Sequence, residues 1–179
     1  MARILIPLAT GCEEIEAVTL IDLFRRAEFD VIAAGLEDGP VTCSRGVVLV
    51  ADTTLATVVD ESFDAIVLPG GGPGAERLRR DERLIAMLNR HRETDGWLGA
   101  ICAAPGVLAA HNLLGPGPVT AFPGALEPYG IESSDAPIEI DGHVATSRGP
   151  GTAMDFALEL IERLDSRERR REVEARLQR

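Results

Sequence analysis

The sequence predicts an α/β protein, a mostly parallel sheet sandwiched between helices. Two observations carry this. Short apolar runs alternate with segments of helical periodicity, and runs such as 29–35 and 64–69 end in glycine or proline; such alternation implies parallel strands covered on both faces.

The elements follow in order. Residues 3–8 form an apolar run ending in turn residues, a buried first strand, and 13–27 turn helical. Residues 29–35 read as a second strand, and 41–52 as a β-hairpin with Ser44-Arg45-Gly46 near its turn. Residues 64–69 are a strand running into Gly70-Gly71-Gly72-Pro73-Gly74, with helical segments over 75–93. Trp97-Leu98-Gly99-Ala100-Ile101 is a strand delivering Cys102, followed by a helix over 104–113 and a short strand at 119–122. A hairpin about Asp141-Gly142 occupies 138–146, an amphipathic helix 152–164, and a final helix the tail. No repeat, linker or low-complexity block interrupts residues 1–179, which read as one domain with length enough for a substantial core.

Composition removes several chemistries. The net charge is −11, and the chain has no lysine, so all 18 cations are arginine. A P-loop lysine and a Schiff-base lysine are therefore both excluded. The acidity argues against specific nucleic-acid binding, which rests on neutralising phosphates. Arginines in the tail are interleaved with Glu168, Glu172 and Glu174, the pattern of a solvated helix. Acidity without lysine fits a salt-adapted source, where screening shortens the reach of repulsion, and equally a GC-rich genome.

Cys12, Cys43 and Cys102 are odd in number and far apart in the chain, with no CxxC pair, and the three histidines are scattered. No metal site and no disulfide framework are expected, which suits a reducing compartment. The first residues are too short an apolar run for a signal peptide or membrane span, so the expected place is the cytoplasm, away from the membrane.

In such folds the functional crevice lies beyond the carboxyl ends of the strands. Cys102 sits there, between Gly99-Ala100 and Ala103-Ala104-Pro105. A strand breaking into a helix needs small neighbours, and a helix N-terminus favours a thiolate, lowering a thiol from its usual pKa of ~8.5. The bland alternative is a small buried hydrophobe, the reading preferred for Cys12 and Cys43. Glu16 is the second candidate. Its helical neighbours Leu20, Leu23, Phe24 and Ala27 are apolar, whereas Glu14 shares a boundary face with Val18, Ile21, Asp22 and Arg25. Glu16 therefore points inward, either as a carboxyl of raised pKa able to donate to a thiolate, or paired with an internal arginine. The glycine loop at 70–74 and Arg148-Gly149-Pro150-Gly151-Thr152 offer backbone amides to an oxyanion, although plain tight turns give the same composition.

Gly11-Cys12-Glu13-Glu14-Ile15-Glu16, Thr42-Cys43-Ser44-Arg45-Gly46, Leu68-Pro69-Gly70-Gly71, Ala100-Ile101-Cys102-Ala103-Ala104-Pro105 and Thr146-Ser147-Arg148-Gly149-Pro150-Gly151-Thr152 occur in this order. Together they resemble the ThiJ/PfpI superfamily, specifically its parkinsonism-associated deglycase and bacterial YajL-like branch, over nearly the whole chain. The resemblance implies a flavodoxin-like fold of the class I glutamine-amidotransferase type, and a homodimer. It implies that Cys102 is an oxidation-prone nucleophile, that Glu16 is the protonated acid beside it, and that the amides of Gly71 and Ala103 face the site. It implies, without a cofactor, action on a small aldehyde substrate or a glycated protein: a glutathione-independent glyoxalase or deglycase protecting against carbonyl and oxidative stress. The alternative it carries is a redox-sensing, chaperone-like protein in which Cys102 becomes a sulfinate with little turnover. Proteases of the superfamily carry histidine where this chain has Ala103, and amidotransferases a downstream His-x-Glu that is missing here. Neither activity is expected. Phe122-Pro123 matches the bacterial branch and leaves Glu16 as the proton shuttle.

Overall fold

The computed structural model describes residues 1–178. Its strands are β1 (Arg3–Leu8), β2 (Asp30–Gly35), β3 (Pro40–Thr42), β4 (Val48–Val50), β5 (Thr53–Thr54), β6 (Ala65–Leu68), β7 (Trp97–Ile101), β8 (Ile138–Asp141) and β9 (Val144–Ser147). The helices are α1 (Glu14–Arg26), α2 (Leu55–Val58), α3 (Gly72–Arg80), α4 (Glu82–Arg92), α5 (Pro105–Ala110), α6 (Ala153–Leu164) and α7 (Arg167–Arg176). A 7-stranded sheet runs β5-β2-β1-β6-β7-β9-β8. Every neighbouring pair is parallel except β8 with β9, which form the expected hairpin. This is the flavodoxin-like arrangement expected from the sequence.

Side chains alternate across the pleat and divide the core in two. Ile4, Ile6 and Leu8 of β1 pack with Leu20 and Phe24 of α1 and with Phe156 and Leu160 of α6. Leu5, on the opposite face, joins Leu78 of α3, Leu84 and Leu88 of α4, and Val107 of α5. Because the central strands are parallel, the ends of β1, β6, β7 and β9 all open on one edge of the sheet.

The structure departs from expectation in places. Residues 119–122 form no strand; β7, the strand before them, already has β6 and β9 on its two sides. Their amides find other acceptors, Thr120 N–H donating to Thr146 Oγ1 at 3.1 Å, Ala121 N–H to Ser133 Oγ at 3.0 Å and Phe122 N–H to Cys102 O at 2.8 Å. The helical stretch at 75–93 is two helices divided at Asp81, whose carboxylate caps α4 by accepting from the amides of Arg83 and Leu84. It also begins earlier, inside the glycine loop. β5 and α2 lack a pattern long enough to read. Among the described residues no helix is long and apolar enough to cross a membrane.

Glu14 is not a boundary residue; it is 8% exposed and holds the β3–β4 hairpin. Its carboxylate accepts from Ser44 Oγ at 2.8 Å and from the Arg45 amide at 2.7 Å. Burial pushes that carboxyl up, but these bonds outweigh it and hold Glu14 below its ordinary range. Gly11 N–H to Thr42 O and Ser44 N–H to Cys12 O, each 2.8 Å, complete the docking.

The glycine loop packs directly on residues 11–13. A methyl at Gly74 would lie 2.6 Å from both the N and the Cα of Cys12, whereas one at Gly72 meets nothing within 4 Å. Gly74→Ala is therefore expected to cost about 1–3 kcal/mol. Gly72→Ala is expected to be neutral or to stabilise by up to ~1 kcal/mol. Urea unfolding midpoints of the two variants check this, and equal midpoints would contradict the close approach.

Candidate active site

Cys102 follows the last residue of β7 and precedes the short turn that opens α5. Its φ is +65°, a left-handed conformation that costs a non-glycine residue about 1–3 kcal/mol. Two backbone bonds impose it: Cys102 N–H donates to Ser147 O at 2.9 Å, and Cys102 O accepts from Phe122 N–H at 2.8 Å. The elbow is thus clamped between the end of β9 and the 119–122 segment. Ala103 and Ala104 meet the requirement for small neighbours.

Glu16 lies in the first turn of α1. Its amide is capped by Glu13, whose Oε2 accepts at 2.8 Å. The residue is fully buried, as the apolar i+4 and i+7 neighbours require. Glu16 Oε2 accepts from Gly70 N–H at 2.7 Å, and Oε1 has no hydrogen-bond partner among the described residues. The internal arginine left open by the sequence is not there. Glu16 and Cys102 meet across Gly70, where a methyl would stand 2.6 Å from Cys102 Cβ and 2.7 Å from Glu16 Oε2. Only glycine fits between them.

Gly71 has φ +85°, and a side chain there would collide with Gly11 O at 2.4 Å. The amides of Gly71 and Ala103 both approach the Cys102 thiol and favour its ionised form. Cys102, Glu16, Gly71 and Ala103 therefore gather at one place.

Electrostatics revise one expectation. Burial pushes the Cys102 thiol up to about 12, the negative charge of Glu16 adds to the push, and the amides of Gly71 and Ala103 oppose it. The helix that was to lower it has only six residues and starts three positions later. Burial likewise raises the Glu16 carboxyl, to about 7, against the Gly70 amide and the Cys102 thiol. Thiol and carboxyl are one coupled unit that carries a single negative charge once the first proton leaves.

The sequence missed Gly70 as the donor to Glu16 and Ser147 as the acceptor that fixes Cys102. Gly70 was readable only as part of a glycine run, and Ser147 had no signal of its own. The second loop folds on itself, Thr152 Oγ1 donating to Gly149 O at 2.9 Å. Cys12 and Cys43, far apart in the chain, meet each other and stay out of this constellation. A surface cavity of about 550 Å³ is lined by Thr10, Leu36, Pro40, Arg77 and others but by none of the four site residues. Cys102 itself is 7% exposed, so access favours a small reagent.

The model of the DJ-1/PfpI family matches residues 2–163. Protein DJ-1 homolog B of Arabidopsis thaliana is 42% identical over 170 residues, 93% of this chain; the chain spans only 39% of that protein's length. The glutathione-independent glyoxalase DJR-1.2 of Caenorhabditis elegans is 35% identical over 170 residues, 94% of this chain and 90% of that one. Among solved structures, oxidized Toxoplasma gondii DJ-1 superposes with a TM-score of 0.94 at 38% identity, covering 99% of this chain and 98% of that chain.

The buried carboxyl has a consequence for stability. With a folded-state pKa raised from 4.5 to about 7, Glu16 binds a proton more tightly folded than unfolded. Its stabilising share is complete below about pH 4.5 and is lost as pH rises through 7. Glu16→Gln is expected to remove this loss, gaining on the order of 3 kcal/mol relative to the parent between pH 4.5 and 8. Denaturant titrations at those pH values check it, and a difference independent of pH would contradict the burial cost.

Proposed function

This chain belongs to the DJ-1/PfpI family, and from that premise we propose that it is a cysteine-dependent enzyme for α-oxoaldehydes or early glycation adducts. The reaction is glyoxalase- or deglycase-like rather than proteolytic, with Cys102 as nucleophile and Glu16 as proton shuttle. The observation that carries this reading is the fully buried Glu16 carboxyl, with one oxygen unpaired, facing the clamped thiol across Gly70. Support also comes from a relative named as a glutathione-independent glyoxalase that aligns along nearly its whole length.

The coupled pair supplies the chemistry. When one proton has left, the charge sits on the carboxylate, held by the Gly70 amide, or on sulfur, held by the amides of Gly71 and Ala103. In the second state Glu16 carries the proton and the sulfur attacks. The thiolate adds to the aldehyde carbon of a methylglyoxal-like substrate, and Glu16 gives its proton to the new oxyanion, forming a hemithioacetal. Amide N–H groups at Gly71 and Ala103 steady that oxyanion. Glu16, again a carboxylate, takes the proton from the former aldehyde carbon and returns it to the neighbouring carbon, while the hydroxyl proton passes to the neighbouring oxygen, leaving the thioester of a hydroxy acid. Water then releases the hydroxy acid and restores the thiol. No cofactor enters, and the small opening above Cys102 suits a small aldehyde.

A second reading is supported by the unpaired Oε1 of Glu16. A sulfinate on Cys102 would place an oxygen where that buried acid can donate to it, making the same site a redox sensor in a stress-responsive, chaperone-like protein. Either role suits the cytoplasm. We also read the protein as a homodimer. Ile15 and Val18 on α1 and Val48 and Val50 on the hairpin that α1 holds are exposed, Val50 by 84%, and a second copy covers such a face.

Cys102→Ser and Glu16→Leu are each expected to lower lactate formation from methylglyoxal at least ~100-fold, followed by proton NMR. Parental kcat/KM is expected to fall as pH drops through about 7, where Glu16 takes up its proton. Unchanged rates in either variant would end the catalytic scheme. Negligible parental turnover with rapid, selective sulfinate formation at Cys102 under mild peroxide would establish the sensor instead.

A further inference from the structure

Cys12 and Cys43 take no part in the scheme above, yet their environment is built. Their sulfur atoms stand 3.6 Å apart, with Cys12 fully buried and Cys43 5% exposed. Two backbone bonds bracket the pair, Gly11 N–H to Thr42 O and Ser44 N–H to Cys12 O, and Cys43 N–H closes the hairpin turn on Val47 O at 2.8 Å. The carboxylate of Glu14 holds the same turn. A disulfide has an S–S length of about 2.0 Å, so the two sulfurs need only close by roughly 1.6 Å.

Cys12 also touches the site's scaffold. Its N and Cα lie 2.6 Å from where a Gly74 methyl would be, and the next amide, Glu13 N–H, donates to Gly70 O at 3.0 Å. Glu13 caps the turn that carries Glu16. A displacement of Cys12 toward the hairpin is therefore passed to the loop whose Gly70 and Gly71 amides face Glu16 and Cys102.

We propose that Cys12 and Cys43 form a reversible intramolecular disulfide that staples the β3–β4 hairpin to the loop before α1 and slows the reaction of Cys102. The crosslink stands on its own geometry; its effect on Cys102 deepens the functional reading given above. With a hydroperoxide as oxidant, the more exposed Cys43 sulfur attacks the peroxide O–O bond, becoming a sulfenic acid and releasing water or an alcohol. The Cys12 sulfur then attacks the sulfenic sulfur. The S–S bond forms, and the hydroxyl departs with the Cys12 proton as water. Two thiols lose two electrons and the peroxide gains them; a small thiol reductant reverses the step by exchange. Burial pushes both thiols up, Cys12 additionally through its neighbour Cys43, so the pair stays reduced while the hairpin is closed. A two-stranded hairpin of this size opens locally, and that opening sets the rate.

The crosslink is tested in the full Cys102→Ala chain, so that no site chemistry intervenes. After treatment with diamide, an azo oxidant that takes two electrons from a dithiol, the intact mass is expected to fall by about 2 Da. A linked peptide pair carrying Cys12 and Cys43 is expected, with no thiol open to alkylation after denaturation and both restored by dithiothreitol. Either Cys12→Ser or Cys43→Ser is expected to abolish the link. Thiols that stay alkylatable, a crosslink formed only between two chains, or sulfinate on Cys43 beside an untouched Cys12 would overturn the proposal. The coupling is tested by the alkylation rate of Cys102 with iodoacetamide, a readout independent of aldehyde turnover. Diamide-treated parent chain is expected to react on the order of fivefold more slowly than the reduced chain, whereas Cys12→Ser treated alike is unchanged. An unaltered Cys102 rate in the crosslinked chain overturns the coupling.

Discussion

The Gly70 amide is the fixed point about which this protein is arranged. Its hydrogen bond to Glu16 holds a carboxyl inside the protein, and the missing side chain at Gly70 lets Cys102 approach from the other side. Gly70 O in turn accepts from Glu13, so the strand end of β6 is bonded to the start of α1 through both of its polar groups. Any larger residue there would separate acid from thiol. The strained elbow at Cys102 persists because Ser147 and Phe122 clamp its backbone from two other segments, so five parts of the chain converge on one site.

That convergence changes how the thiol is to be understood. A cysteine at a strand–helix elbow invites the idea that the helix end ionises it. Here the helix is short and begins three residues later, and burial together with the Glu16 charge pushes the thiol the other way. Reactivity then belongs to a pair sharing one proton, with backbone amides on both sides deciding where the charge rests. A neutral acid beside a thiolate and a carboxylate beside a thiol are the two faces of that pair. The burial of Glu16 costs the fold stability as pH rises through its raised pKa.

Glu14 and Glu16, two positions apart on α1, show how one turn of helix serves two tasks. Glu14 reaches outward to the hairpin turn and stays ionised under its hydrogen bonds; Glu16 turns inward and is pushed toward neutrality. Cys12 lies just before both, at the junction of hairpin and glycine loop. The hairpin is thus mechanically continuous with the site, although none of its residues touches Cys102.

Much was legible in the residues themselves. Apolar runs alternating with helical periodicity are enough for a layered parallel sheet, and the spacing of Leu20, Leu23, Phe24 and Ala27 from Glu16 is enough to bury that acid, because both are local consequences of backbone geometry. The resemblance carried by the ordered motifs implied that the amides of Gly71 and Ala103 face Cys102. What needed the tertiary structure was everything that depends on which segments meet. Residues 119–122 are strand-like in composition, yet their amides donate to Thr146, Ser133 and Cys102 rather than to a strand ladder. Glu14 shares its helical face with charged residues and is still buried, since a hairpin far along the chain lies on it. Cys12 and Cys43 carry no spacing signal, and their contact exists because the Glu14 carboxylate and backbone bonds at Gly11 and Ser44 dock that hairpin. The proton balance of Cys102 and Glu16 likewise came from tertiary burial: one chain decides which side chains face inward, but desolvation is set by all the segments that close over them.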